Sequence, residues 1–290
     1  MILQDSINQL LKANSDKNPL YARNVIKEEL QNYILNFVFT NTEYNKLIFT
    51  GGTCLRKVYG INRLSEDLDF DYEGSFEIES FAQAVQQYFK SIIQYRDISY
   101  SISGNKNTAY FKFPILKELE LYTKGTPEDV FVRCDISKDE KGGASFDKNM
   151  ITSGPYQFFV TSYDLSTLFA NKIVAFQERV FYKGNMQKIP FKGRDVYDVY
   201  WLTQLSGRSG YMLRPSTSRL QALLPGQSIT QIKAQFCEKI ARIDTKFLYE
   251  DLLSLLESRE VLDVFIGSYK EYLSKYIGMV LGEEKVPNTS

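Results

Sequence analysis

The sequence predicts an α+β fold, in which a mixed sheet flanked by helices is followed by a mostly helical C-terminal domain. Three observations predict it. Apolar residues recur at helical spacing in the first forty positions; short segments of alternating apolar and polar residues cluster between about Leu47 and Ile136; and the helical spacing returns after Ser162. The chain of 290 residues is long enough for two domains. The glycine-containing stretch KDEKGGASFDKN sets the expected boundary, giving an α/β domain with N-terminal helices over 1–150 and a helical domain over 151–290.

In LYARNVIKEELQNYILNFVF, Ile26, Leu30, Tyr33, Ile34 and Phe37 share one helical face and are expected to cover a sheet. LIFT then reads as a short strand, Gly51-Gly52 as a turn, and Thr53 to Tyr59 as a short helix. DLDFDY is a half-buried strand, and Phe76 to Tyr95 a helix. ISYSI, TAYFKF, ELELYT and VFVRCDI are further strands, separated by turn signals at GNKN, PILK and KGTPED. No internal repeat is visible, and the tail after Gly282 is expected to be disordered.

Composition removes several classes of chemistry. The chain has no histidine, which excludes Ser-His and Cys-His nucleophile pairs, HExxH zinc sites and imidazole acid-base catalysis. Carboxylates, lysines, hydroxyls and backbone remain, a set that suits a hard, oxygen-liganded cation such as Mg²⁺. Cys54, Cys134 and Cys237 are too widely spaced for a zinc cluster and odd in number, so they read as small core residues. With 43% hydrophobic and 24% charged residues, and no apolar run near the roughly 20 residues needed to cross a bilayer, no membrane span is expected. The opening MILQDSINQLLK lacks the features of an export signal, so the expected location is cytoplasmic.

The acids of DLDFDY carry the chemical argument. Alternate strand residues share a face, so Ser65, Asp67, Asp69 and Asp71 point one way while Leu68, Phe70 and Tyr72 point the other. Same-face neighbours lie about 7 Å apart, and their carboxylates repel unless a cation screens them. Two metal ions about 3.5 to 4 Å apart could be straddled by acids at this spacing. Asp135 lies on the polar face of VFVRCDI and is a candidate third ligand. An exposed acidic strand would show the same pattern. Before Asp67 lies GGT, at a strand-to-helix turn, where glycines let backbone amides approach a phosphate; a tight turn alone reads alike.

Strand, glycine pair, helix and then Ser-Glu-Asp-Leu-Asp-Phe, in that order, resemble the signature of the DNA polymerase β-like nucleotidyltransferase superfamily. More narrowly, FTGGTCLRKVYGINRLSEDLDFDY looks like the AbiEii/AbiGii toxin family of nucleotidyltransferases. DLSTLFANKIVAFQER is similar to that family's lysine-bearing helix, and KGRDVYDVYWL to its second conserved helix, although Lys192-Gly193-Arg194-Asp195 replaces the family's Arg-x-Lys-Asp. The resemblance covers roughly residues 47 to 205. On periodicity alone, Lys172 falls inside the apolar stripe of Leu165, Leu168, Phe169, Ile173, Phe176 and Val180, where it either snorkels or meets an anion.

The resemblance implies Mg²⁺-dependent transfer of a nucleoside monophosphate from an NTP to an acceptor hydroxyl. Asp67, Asp69 and Asp135 would be the metal ligands, for two Mg²⁺ ions, and would form the catalytic set with Lys172 and Asp195. Gly51, Gly52, Thr53, Ser65, Lys172 and Arg179 would bind the nucleotide. It also implies a tRNA 3′ end as acceptor and a cognate antitoxin as partner. Between Lys172 and Arg242, twelve basic residues stand against four acidic ones in a chain of zero net charge, which suits a polyanion or merely a solvated helical surface. A small-molecule or protein acceptor, or an inactive binding protein on the same scaffold, remains open on the residues alone.

Overall fold

A computed structural model describes residues 2–118, 129–154, 156–183, 187–208 and 213–282. Contacts divide the chain into two compact units. The first comprises Met1–Glu140, Phe146–Tyr163 and Ser254–Glu257; the second comprises Lys141–Ser145, Asp164–Leu253 and Ser258–Ser290.

The first unit begins with helices α1 (Ile2–Ala13) and α2 (Pro19–Thr40). They are separate because Pro19 starts α2 and the Asn18 side chain caps it by accepting from Leu20 N. Then follow β1 (Ile48–Thr50), α3 (Gly51–Lys57), β2 (Asp67–Tyr72), α4 (Ile78–Ser91), β3 (Ser99–Ile102), β4 (Thr108–Phe113), α5 (Ile115–Glu118), β5 (Val130–Lys138), β6 (Phe146–Ser153) and β7 (Tyr156–Tyr163). Among the described residues, seven strands form one sheet in the order β3-β4-β5-β2-β1-β7-β6. β2 runs parallel to β5 and β1 parallel to β7, while the other pairs are antiparallel.

One face of this sheet is apolar and covered. Ile26, Leu30, Tyr33, Ile34 and Phe37 of α2 are all buried, as their spacing predicts. Phe39 lies 6.2 Å from both Phe49 and Phe70 by ring centroid, and Phe81 and Phe89 of α4 pack on Phe111 and Phe113. Leu68 and Phe70 of β2 therefore point inward, and its aspartates must occupy the other face.

The second unit contains α6 (Leu165–Glu178), β8 (Phe181–Lys183), β9 (Gln187–Ile189), α7 (Gly193–Arg208), α8 (Thr217–Leu223), α9 (Ile229–Ala241), α10 (Thr245–Leu252) and α11 (Arg259–Val280). Among its described residues it is helical apart from the antiparallel β8–β9 pair, which the helical period after Ser162 did not signal. Among the described residues, no helix is long and apolar enough to cross a membrane.

Two differences from the sequence reading have physical causes. Residue 150 falls inside β6, and the β6–β7 hairpin stays with the sheet because β7 pairs with β1 at Ser162 and Phe49. The glycines expected as a turn form the first residues of α3 itself, with Gly51 at φ +76°. ELELYT beyond Glu118, most of KGTPED and the tail after Gly282 lie outside the described residues.

α3 is fastened to α2 by charge. Glu28 Oε1 accepts from Arg56 Nε at 2.9 Å and lies 3.4 Å from Lys57 Nζ. Burial works against the Glu28 carboxylate, yet Lys57 and Arg56 outweigh it and lower its pKa. Burial lowers the pKa of Lys57 as well, more than Glu28 can restore. The two shifts assign the pair opposite worth; two cations on one acid make Glu28 the better-satisfied member, and Lys57 depends on it.

A carboxylate whose pKa is depressed by folding contributes stability above its unfolded value near 4.5, and this is lost as pH falls through the folded value. Glu28→Gln is expected to cost about 3 kcal/mol at pH 7, with a deficit that shrinks below the ordinary Glu range. Urea melts across pH 3 to 8 measure this, and a deficit independent of pH would refute it.

Candidate active site

The acid cluster is built by strand register. Parallel pairing of β2 with β5 sets Asp67 beside Arg133 and Asp69 beside Asp135. Antiparallel pairing of β1 with β2 sets Thr50 beside Asp69, which brings the glycines of α3 to the same acid. The three carboxylates predicted as ligands thus belong to one sheet face within the first unit. Their combined field reaches Cys134, whose thiol is pushed well up by burial and then by Asp135, Asp67 and Asp69. A neutral, buried thiol is a core residue, as is Cys54.

Glycine is required where the acid meets the backbone. A Cβ at Gly51 would land on the Asp69 carboxylate, and φ is in the left-handed region that disfavours other residues. A Cβ at Gly52 would lie 2.8 Å from both Arg63 Nη2 and Ser65 Oγ. Arg63 is buried and donates to Leu64 O at 2.8 Å. Gly52, Arg63 and Ser65 therefore form a close-set polar cradle next to Gly51 and Asp69.

Three side chains depart from what their spacing suggests. Asp135 is already engaged: Oδ1 accepts from Thr108 Oγ1 at 2.6 Å and Arg133 Nε at 3.0 Å, and Oδ2 lies 2.8 Å from Arg133 Nη2. Asp71 lies 2.6 Å from Tyr163 Oη, which is also 2.8 Å from Asp139. Burial and then Asp71 raise the Tyr163 pKa, so the phenol keeps its single proton and can donate it to one acid at a time. Thr53, expected as a nucleotide contact, is fully buried with its hydroxyl donating to the Asp67 carbonyl. That hydroxyl ties α3 to β2.

Arg133 and Thr108 were not singled out in the sequence. Arg133 is two residues before Asp135 and so on the same strand face, which was the available signal. Thr108 meets Asp135 through the β4–β5 register, which no local pattern encodes.

The second unit gathers the other candidates. Lys172 Nζ lies 2.8 Å from Asp198 Oδ2 and 3.9 Å from Asp195 Oδ1. Asp195 and Asp198 are 1% and 0% exposed, so they are interior acids rather than solvated residues of a first helical turn. Arg179 Nε is 2.9 Å from Asp195 Oδ2 but not aligned as a hydrogen bond, leaving that oxygen with a charge partner and no directed donor. Lys172 therefore meets anions instead of snorkelling, with Asp198 its closer partner and Asp195 the second. Gly193 opens α7, its amide donating to Asp251 at 2.7 Å.

Among the described residues, no three His, Cys, Asp or Glu side chains converge to enclose a metal ion. Asp67 and Asp69 are nonetheless the right donors for Mg²⁺, which takes one or two carboxylates and completes its shell with water and substrate phosphates.

A mixed sheet that presents paired strand aspartates beside a glycine pair is the scaffold of a nucleotidyltransferase. The family model described as "Nucleotidyl transferase AbiEii toxin, Type IV TA system" matches residues 37–272, and the chain belongs to that family. It is a nucleotidyltransferase toxin of a type IV toxin-antitoxin system.

Among solved structures, MenT4, a nucleotidyltransferase toxin from Mycobacterium tuberculosis H37Rv, is similar with 12% identity, a TM-score of 0.55, and coverage of 93% of this chain and 89% of that one. JHP933 from Helicobacter pylori aligns at 18% identity and a TM-score of 0.45, over 88% of this chain and 94% of that one. At these identities, the first likeness speaks to fold alone. A search of curated proteins finds no match.

Gly51→Ala is expected to destabilise the protein by about 1 to 3 kcal/mol, from the left-handed backbone and the displaced acid together. Thermal melts of the variant against Gly60→Ala, another left-handed glycine with open space around it, separate the two effects. Equal losses would show that Asp69 contributes nothing to the constraint.

Proposed function

We propose that the protein transfers a nucleoside monophosphate from an NTP to the 3′ hydroxyl of a tRNA in a Mg²⁺-dependent reaction. The observation that carries this reading is the register of Asp69 with Asp135 on the face where Gly51 closes against Asp69. Asp67 and Asp69 would hold Mg²⁺, whose chemistry is to neutralise charge on the phosphates and lower the pKa of a bound hydroxyl. Gly51, Gly52 and Ser65 cradle the phosphates, and Lys172 and Arg179 offset their charge. The acceptor oxygen attacks the α-phosphorus, the bond to the β-phosphate oxygen breaks, and pyrophosphate leaves. Asp135 accepts the hydroxyl proton through the lone pairs that Arg133 and Thr108 leave open.

The excess of basic residues between Lys172 and Arg242 supports a polyanionic acceptor, whose binding should weaken steeply with salt. The family supports an antitoxin partner.

Incubation with α-labelled NTPs, Mg²⁺ and total tRNA is expected to label RNA 3′ ends, and chelation by EDTA to abolish it. Asp67→Ala and Asp69→Ala should each lower incorporation on the order of 100-fold or more, the scale of deleting one electrostatic contact to a transition state. Label that never enters RNA, with wild type and Asp67→Ala indistinguishable, would sink the reading.

A further inference from the structure

The last four carbonyls of a helix have no partner within it, and a cation nearby is one way to satisfy them. α6 has no basic residue in its own last turn. Lys239, on α9, supplies one. Its Nζ donates to Gln177 O at 2.8 Å and lies 3.3 Å from Arg179 O.

The junction is reciprocal. Gln177 Nε2 donates back to Ile232 O at 2.6 Å, which ties the end of α6 to α9. Phe176 and Phe236 pack with rings tilted by 59° and centroids 4.9 Å apart, and the Lys239 ammonium sits 5.2 Å over the Phe176 ring. Burial lowers the Lys239 pKa, so the site is not that of a solvated surface lysine.

The end of α6 matters because of the residue that caps it. Arg179 is the C-cap, and the same residue reaches back to Asp195. Its backbone carbonyl faces Lys239 while its guanidinium faces Asp195, so a shift of that last turn would move the cation off the buried acid. Asp195 is also within electrostatic range of Lys239 and of Lys192.

We infer that Lys239 is a positioning residue, which closes the carbonyl end of α6 and thereby fixes Arg179 against Asp195 in the cationic group that handles the triphosphate. The nucleotide part rests on the proposed function above; the coupling of Lys239 to Arg179 does not.

The test uses the full chain and four variants: Lys239→Met, Lys239→Arg, Arg179→Met and the Lys239→Met/Arg179→Met double. Lys233→Met, elsewhere on α9, is the control for generic damage. Titration with each Mg·NTP and steady-state RNA labelling are expected to show Lys239→Met raising the NTP Kd and KM about tenfold, with kcat within about threefold. Lys239→Arg should restore most of the loss, and the double variant should bind no worse than Arg179→Met, with a melting shift short of the sum of the two single shifts.

Losses that multiply in the double variant, a Lys239→Met protein that binds NTP as wild type does, or an equal loss in Lys233→Met would each overturn the inference. If wild type binds no NTP, the nucleotidyl-transfer reading falls instead. The melting cycle then decides the coupling by itself, because additive shifts refute it and non-additive shifts support it.

Discussion

Repulsion among carboxylates on one sheet face is the constraint on which the first unit is organised. Two unit charges about 5 Å apart in a surroundings of effective dielectric near 20 repel by about 3 kcal/mol, a sizeable part of a domain's net stability. The fold meets this by dividing the acids. Asp135 is neutralised by Arg133 and held by Thr108, and Asp71 is turned to Tyr163. Asp69 is set against a backbone that has no side chain at Gly51. Asp67 lies beside Arg133 in the same register.

The second unit solves the opposite problem, that of interior acids. Asp195 and Asp198 are both fully enclosed, and an isolated buried carboxylate would be driven to protonate. Lys172 and Arg179 from α6 meet them, so α6 and α7 are joined by charge as well as by apolar packing. Such a junction fixes geometry more than it adds stability, because desolvation of the ions offsets most of their attraction.

Periodicity made the architecture readable, and it failed where pairing is non-local. The apolar stripe of α2 and the alternation of DLDFDY and VFVRCDI are local patterns, and they placed the covered face and the acid face correctly. The β6–β7 pair was read past because FDKNMITS and FFVTSY carry exposed Phe146, Met150 and Phe159 in place of clean alternation. The glycine pair and the acids were visible in the sequence. Thr108 on Asp135 and Lys239 on the end of α6 depend on register and helix packing, which no window of neighbours encodes. Thr53 is a further case: no local pattern signals that its hydroxyl is turned inward onto the Asp67 carbonyl.

The first unit also borrows a short piece of chain from far downstream. Leu64 N, in the loop between Arg63 and Ser65, donates to Leu255 O at 2.8 Å, and Asn24 reaches Ser254 O at 2.9 Å. During synthesis these bonds wait until most of the polypeptide has been translated, whatever the sheet has done by then. A ribosome that stalls or a message cut short therefore yields a fragment in which the segment from Arg63 to Ser65 lacks its outer brace.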